Sequence, residues 1–142
     1  MHTRPKIIAL ARSWIGTPYH HQASKKAVGC DCLGLVRGVW RDFYGCEIAK
    51  VPPYSPDWGE AHIGEPLQKA AQRYLVSIPF HDACPGDVLL FRMQSHGAAK
   101  HLGIMTTHRT MVHAMEGGAV SEVFLGKWWL RHKVGAFAFP PR

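Results

Sequence analysis

Pro85-Gly86-Asp87-Val88-Leu89-Leu90-Phe91 is where the pattern of this 142-residue chain changes. Before it, apolar residues recur three and four apart. After it, they come in short runs broken by turn residues. Working backward, Thr3 with Pro5 starts a helix carrying Ile7, Leu10, Ala11 and Trp14, which Gly16-Thr17-Pro18 ends. Tyr19 to Gly29 has no period and reads as a loop. Leu33, Val36, Val39, Trp40 and Phe43 form the stripe of a second helix, with Asp31 as its N-cap and Gly45 as its stop. Val51 to Gly64, with three prolines, reads as an irregular connection, and Leu67, Ala70, Ala71, Tyr74 and Leu75 as a third helix.

Working forward, Val88–Phe91, His101–Thr106, Thr110–Met115, Ala119–Phe124 and Val134–Phe139 read as strands, with Gly117-Gly118 as a hairpin signal. Helices at the front and a meander at the back give an α+β class: N-terminal helices packed on an antiparallel sheet of about five strands. No repeat, low-complexity tract or linker divides the chain, so residues 1–142 form one domain.

The content is 46% hydrophobic and 19% charged, that of a globular protein. A net charge of +7 and a pI near 9.5 favour anionic partners. Lys and Arg are scattered from Arg4 to Arg142, which argues against a nucleic-acid footprint and for general attraction to a surface. The apolar run Ile7 to Ala11 is cut by Arg12, short of a secretory signal, and no stretch is long enough to span a membrane. The expectation is synthesis and folding in a cytosol, with Cys30, Cys32, Cys46 and Cys84 as free thiols.

Gly29-Cys30-Asp31-Cys32-Leu33-Gly34-Leu35-Val36 places Cys32 in the first turn of a helix. Free N–H groups and the helix dipole there stabilise a thiolate, with pKa values of roughly 3.5–7.5 for thiols so placed, and offer an oxyanion hole. Gly34 leaves room for the close approach of substrate or a strand. A hairpin centred on residue 107 sets His101 directly opposite His113 on one face, with Leu102, Ile104 and Val112 on the other. Two facing imidazoles suit a relay in which His101 takes the thiol proton and His113 orients it.

The blocks Gly16-Thr17-Pro18-Tyr19, Asp31-Cys32-x-Gly-Leu-Val, Pro85 to Phe91, His101-Leu102-Gly103-Ile104 and Val112-His113-Ala114 together resemble the NlpC-type cell-wall peptidases. The resemblance implies a papain-like fold and hydrolysis of amide bonds in peptidoglycan stem peptides, commonly from D-glutamate to the diamino acid, without a cofactor. It makes Cys32 the nucleophile, His101 the base and His113 the residue orienting it. Tyr19 and Asp31 fall on the substrate side.

Leu33 stands where the family commonly has serine, and His20-His21-Gln22-Ala23 where it favours glycines. A small chain with Trp128-Trp129 and Ala136 to Pro140 near its end is similar to peptidases encoded among phage and gene-transfer-particle tail genes. That implies tail-protein partners, incorporation in a particle and action at the periplasm or cell wall. Three other readings stay open: a zinc site of His20, His21, Cys30 and Cys32, a non-enzymatic tail-tip protein, and an acyltransferase on the same scaffold. Cys46 and Cys84 are expected to be structural thiols, and His62, His81, His96, His108 and His132 surface residues. Trp128 and Trp129 are expected on a strand, one of them in the core.

Overall fold

The computed structural model describes residues 3–48, 66–94 and 97–142. The expected connection Val51–Gly64, His62 and His96 lie outside them. Helix α1 (Thr3–Arg12) buries Ile7 and Ala11, and Trp14 follows it into the core. Helix α2 (Cys32–Tyr44) starts at the Asp31 cap, whose side chain accepts from the Gly34 N–H. It ends at Gly45, whose φ of +80° suits glycine and whose N–H bonds the Arg41 carbonyl. The two helices meet at Gly38, where a Cβ would lie 2.0 Å from the Trp14 ring. Helix α3 (Pro66–Tyr74) opens on proline, whose fixed φ suits a first helical turn, and buries Leu67 and Ala71.

A two-stranded ribbon, β1 (Ser24–Lys25) with β2 (Gly29–Cys30), lies inside the segment read as loop. The remaining strands are β3 (Val76–Ile78), β4 (Val88–Arg92), β5 (Ala99–Thr107), β6 (Thr110–His113), β7 (Ser121–Phe124) and β8 (Lys133–Ala138). They form one antiparallel sheet in the order β3-β8-β4-β5-β6-β7. The α+β class holds, with six strands in place of about five. The added strand β3 is a three-residue edge, too short to show a period.

The sheet is covered on both faces, so β4 reads as the unbroken run Val88-Leu89-Leu90-Phe91, each fully buried. Val88, Leu90, Leu102, Ile104 and Val112 face the helices. Leu89, Phe91, Met105, Met111 and Ala136 face the other way, under a short helix α4 (Lys127–His132) that contributes Trp129. Each large side chain buried on these faces contributes about 1.5–3 kcal/mol. The two tryptophans expected on a strand thus sit on a helix, where adjacent residues diverge by about 100° rather than 180°. Trp129 is partly buried and Trp128 is exposed.

The hairpin register also needs correction. The β5–β6 turn has two residues, His108 and Arg109, closing on Thr107 opposite Thr110. An irregularity at Thr106 then sets Gly103, not His101, opposite His113. Thr106 Oγ1 is held by Thr110 Oγ1 at 2.8 Å and by Glu122 Oε2 at 2.6 Å, which fixes the extra residue. The shift is two residues, an even number, so both histidines keep one face.

The stretch between β6 and β7 stitches the sheet to the segment after α1. Gly16 N–H bonds Val120 O, Val120 N–H bonds Thr17 O, and Tyr19 N–H bonds Gly118 O. Gly117, with φ of +87°, makes the turn. The glycine pair marks a true reversal, longer than a tight hairpin.

Candidate active site

Cys32 is the first residue of α2, and its Sγ lies 3.9 Å from the Lys100 carbonyl oxygen. The N–H groups of Leu102 and Leu33 also bear on it. The thiol therefore meets β5 at the backbone on either side of His101. Among the hydrogen bonds of the described residues, none joins Sγ to the His101 ring; the ring's own bond goes to His113.

The sequence predicts a depressed thiol pKa, and the structure reverses that. Burial pushes the Cys32 thiol up to about 12, with the Asp31 carboxylate adding to the rise. The two backbone N–H groups act in the opposite sense and are outweighed. The residue that caps the helix is a negative charge beside the sulfur, a cost the pattern of the motif does not display. In this arrangement the thiol is neutral.

His101 and His113 come together as the sequence suggests, on a diagonal rather than face to face. His101 Nε2 lies 2.9 Å from His113 Nδ1, with ring centroids 5.1 Å apart and planes at 82°. Both side chains are buried. Burial holds the His101 imidazole well below the ordinary range, and the neighbouring His113 and Lys100 push it the same way. Burial lowers His113 as well. Both rings are therefore neutral at pH 7, and one donates to the other.

Asp31 is the N-cap that the sequence predicts. It is 2% exposed, Oδ1 accepts from Gly34 N–H at 2.7 Å, and Oδ2 accepts from Gln22 N–H at 2.8 Å. Both of its oxygens accept from backbone N–H groups. The loop it holds includes Gln22 at a φ of +63°, and Ala23 O lies where a Cβ on residue 34 would be, 1.8 Å away. The room at Gly34 is filled by this loop, not by substrate or a strand.

Tyr19 is half-buried, pairs in a parallel bridge with Cys30, and packs on the helix-side core. Burial raises its phenol to about 12, and Asp31, Cys32 and Glu116 lie near enough to add to the rise. It stands in the neighbourhood of the thiol. Cys30 is fully buried, and burial raises its thiol to about 12. Cys46 is exposed, and Cys84 donates to Asp82 O at 3.4 Å. His20, His21, Cys30 and Cys32 form no metal cluster: among the described residues, no group of three or more His, Cys, Asp or Glu side chains could hold an ion. Nor is any described helix long and apolar enough to cross a membrane.

Sequence reasoning missed the aromatic surroundings of the histidine pair. The Trp129 indole stacks on His101 at 5.5 Å and 30°, and meets His113 edge-on at 5.2 Å. Phe91, directly across the ladder from His101, lies 6.2 Å from that ring and 4.9 Å from Trp129. The sequence already put one of the two tryptophans inside; what it lacked was α4, the helix that brings Trp129 over the histidine pair.

Known proteins match this arrangement along most of the chain. The model of the NlpC/P60 family matches residues 16–137. The murein DD-endopeptidase MepH of Escherichia coli is 25% identical over 124 residues, covering 86% of this chain and 41% of that protein. The probable endopeptidase NlpC of Escherichia coli is 27% identical over 103 residues, covering 72% and 56%. The chain thus spans about half the length of these relatives. The solved structure of a lipoprotein-like NLP/P60 protein from Staphylococcus aureus superposes with a TM-score of 0.69 at 19% identity, covering 99% of this chain and 42% of that one. The fold is the papain-like α+β fold of such domains.

Proposed function

This chain belongs to the NlpC/P60 family, and from that premise we propose that it is a cysteine hydrolase of peptidoglycan stem peptides. One observation supports this most: two neutral, buried imidazoles joined Nε2 to Nδ1 at 2.9 Å, with a helix-start thiol packed against the backbone that flanks the first. Its relatives bear the names of endopeptidases, one of them a murein endopeptidase.

The roles follow from the proton positions. His101 Nε2–H donates to His113 Nδ1, which leaves His101 Nδ1 as the base nitrogen. With substrate seated, Nδ1 takes the proton of Cys32 Sγ while sulfur attacks the amide carbonyl carbon. The N–H groups at the start of α2 receive the developing oxyanion. His113 stabilises the imidazolium, which returns the proton to the leaving amine as the C–N bond breaks. Water, deprotonated by the same nitrogen, then cleaves the thioester and frees the thiol. Because burial keeps the thiol neutral and the imidazole weakly basic, the thiolate forms only during attack, after a side-chain rotation carries Sγ from Lys100 O toward the ring.

The finer reading has two parts. The bond cut is that from D-glutamate to the diamino acid, and the protein reaches the wall in a tail-like particle; both rest on resemblance. Digestion of purified sacculi and of isolated stem peptides, with mass analysis of the fragments, tests the reaction and locates the bond. Wild type releases peptides, while Cys32→Ala and His101→Ala release none, since nucleophile and base act as a unit. Products carrying an added amine in place of water identify an acyltransferase. No cut in either substrate overturns the hydrolase reading and leaves the structural one.

A further inference from the structure

We propose that Trp129 is the positioning residue of the histidine pair, its indole holding the His101 ring plane so that Nε2 stays on His113 and Nδ1 remains for the thiol proton. The inference rests on the reading of His101 as base.

A single hydrogen bond leaves an imidazole able to swing and turn about its Cβ–Cγ bond, and the alternative orientation exchanges carbon for nitrogen at both working positions. The stack removes that freedom. Trp129 lies over His101 at 30°, an offset face-to-face contact, and stands at 90° to His113, so one indole fits two rings that are themselves at 82°. The indole is in turn fixed by Phe91 at 4.9 Å and 68° and by Trp128 at 4.9 Å and 86°. Trp128 is tied by stacking on His132 at 3.9 Å, whose Nδ1 lies 2.6 Å from the Trp128 carbonyl.

An aliphatic side chain at residue 129 would bury the pair equally but supply no plane. Facing His101 are Phe91 from β4 and Trp129 from α4; the titratable groups bearing on it are His113 from β6 and Lys100 from its own strand. The indole also keeps water from the rings, consistent with the lowered basicity of both.

The test uses the full chain with nitrogen-15-labelled histidine and three variants, Trp129→Phe, Trp129→Leu and Trp129→Ala. Long-range nitrogen–proton spectra report the tautomer and titration of each ring, independent of any substrate. Wild type and Trp129→Phe are expected to show one His101 tautomer, protonated at Nε2. Trp129→Leu, which keeps burial, is expected to show mixed His101 tautomers. Trp129→Ala is expected in addition to shift both titrations upward by about one pH unit or more. With stem-peptide substrate, Trp129→Leu lowers kcat about 10- to 100-fold with KM little changed.

A folded Trp129→Leu with wild-type tautomer and kcat overturns the proposal. If Trp129→Ala does not fold, the Phe and Leu variants carry the comparison. If His101→Ala retains activity, the base reading fails by itself, whatever the spectra of the tryptophan variants show.

Discussion

His113 reaches His101 along the diagonal of the β5–β6 ladder, because Thr106 occupies an extra place in β5 and sets Gly103 opposite His113. A glycine in that opposed position makes room for the Met111 side chain. The Met111 Sδ already lies 2.4 Å from where a Cβ on residue 103 would be. The pair is therefore sealed by packing, and its chemistry is that of neutral imidazoles.

Acid should destabilise the protein through this pair. Both imidazoles titrate below their ordinary value of 6.5 when folded, so between the two values the unfolded chain binds protons that the native state does not. Stability is then full above 6.5 and drains as pH falls, by up to roughly 1.4 kcal/mol per pH unit for each ring. Urea denaturation from pH 7.5 down to 4.5 checks this. His113→Asn, which removes one titrating ring, should flatten the slope by about half above the carboxylate range.

Alkylation order should follow burial rather than helix position. In the free protein, iodoacetamide is expected to modify exposed Cys46 first near neutral pH, with Cys32 slow and accelerating only toward high pH. Peptide mapping after brief labelling reads the order. Rapid modification of Cys32 at pH 7 would mean that Sγ rests beside the imidazole in solution, not on Lys100 O.

Asp31→Asn separates two effects of one carboxylate. The amide oxygen can still cap Gly34, but its NH₂ faces the Gln22 N–H, so a loss of about 1–2 kcal/mol is expected on thermal or chemical denaturation. Removing the negative charge beside Sγ should lower the thiol pKa, read as faster Cys32 alkylation at fixed pH. A more stable variant with an unchanged Cys32 rate contradicts both assignments.

Gly34→Ala tests the loop that crosses α2. Its Cβ would meet the Ala23 carbonyl at 1.8 Å, and a backbone atom cannot swing aside as a side chain can. A cost of roughly 1–3 kcal/mol is expected, with loss of the bond that Ser24 Oγ donates to Gly34 O at 2.6 Å. Gly45→Ala makes a useful control, since nothing lies within 4 Å there and only its φ of +80° opposes the change.

Much of this architecture was legible in the residues themselves. Leu33, Val36, Val39 and Phe43 mark α2 by period, Asp31 and Gly45 mark its ends, and Val88 to Phe91 mark a strand covered on both sides. Three features were not. The bulge at Thr106 depends on a contact with Glu122, sixteen residues away, which no local pattern carries. β3 is recognisable only by its partner β8. The thiol's raised pKa comes from burial of the sulfur and from a capping carboxylate, where the motif suggested only the favourable end of a helix.

The place of β8 in the sheet bears on how the molecule comes into being. It is the last of the described strands in sequence, yet it lies between β3 and β4, pairing with both. During synthesis β3 stays unpaired, and β4 is paired only on its β5 side, until residues 133–138 follow. The groups around Cys32 are drawn from the same late half, at Lys100 and Leu102. A nascent chain halted before β8 carries its cysteine on a helix with no completed sheet behind it. The fold thereby completes the sheet behind Cys32 only when the last of the described strands has been made.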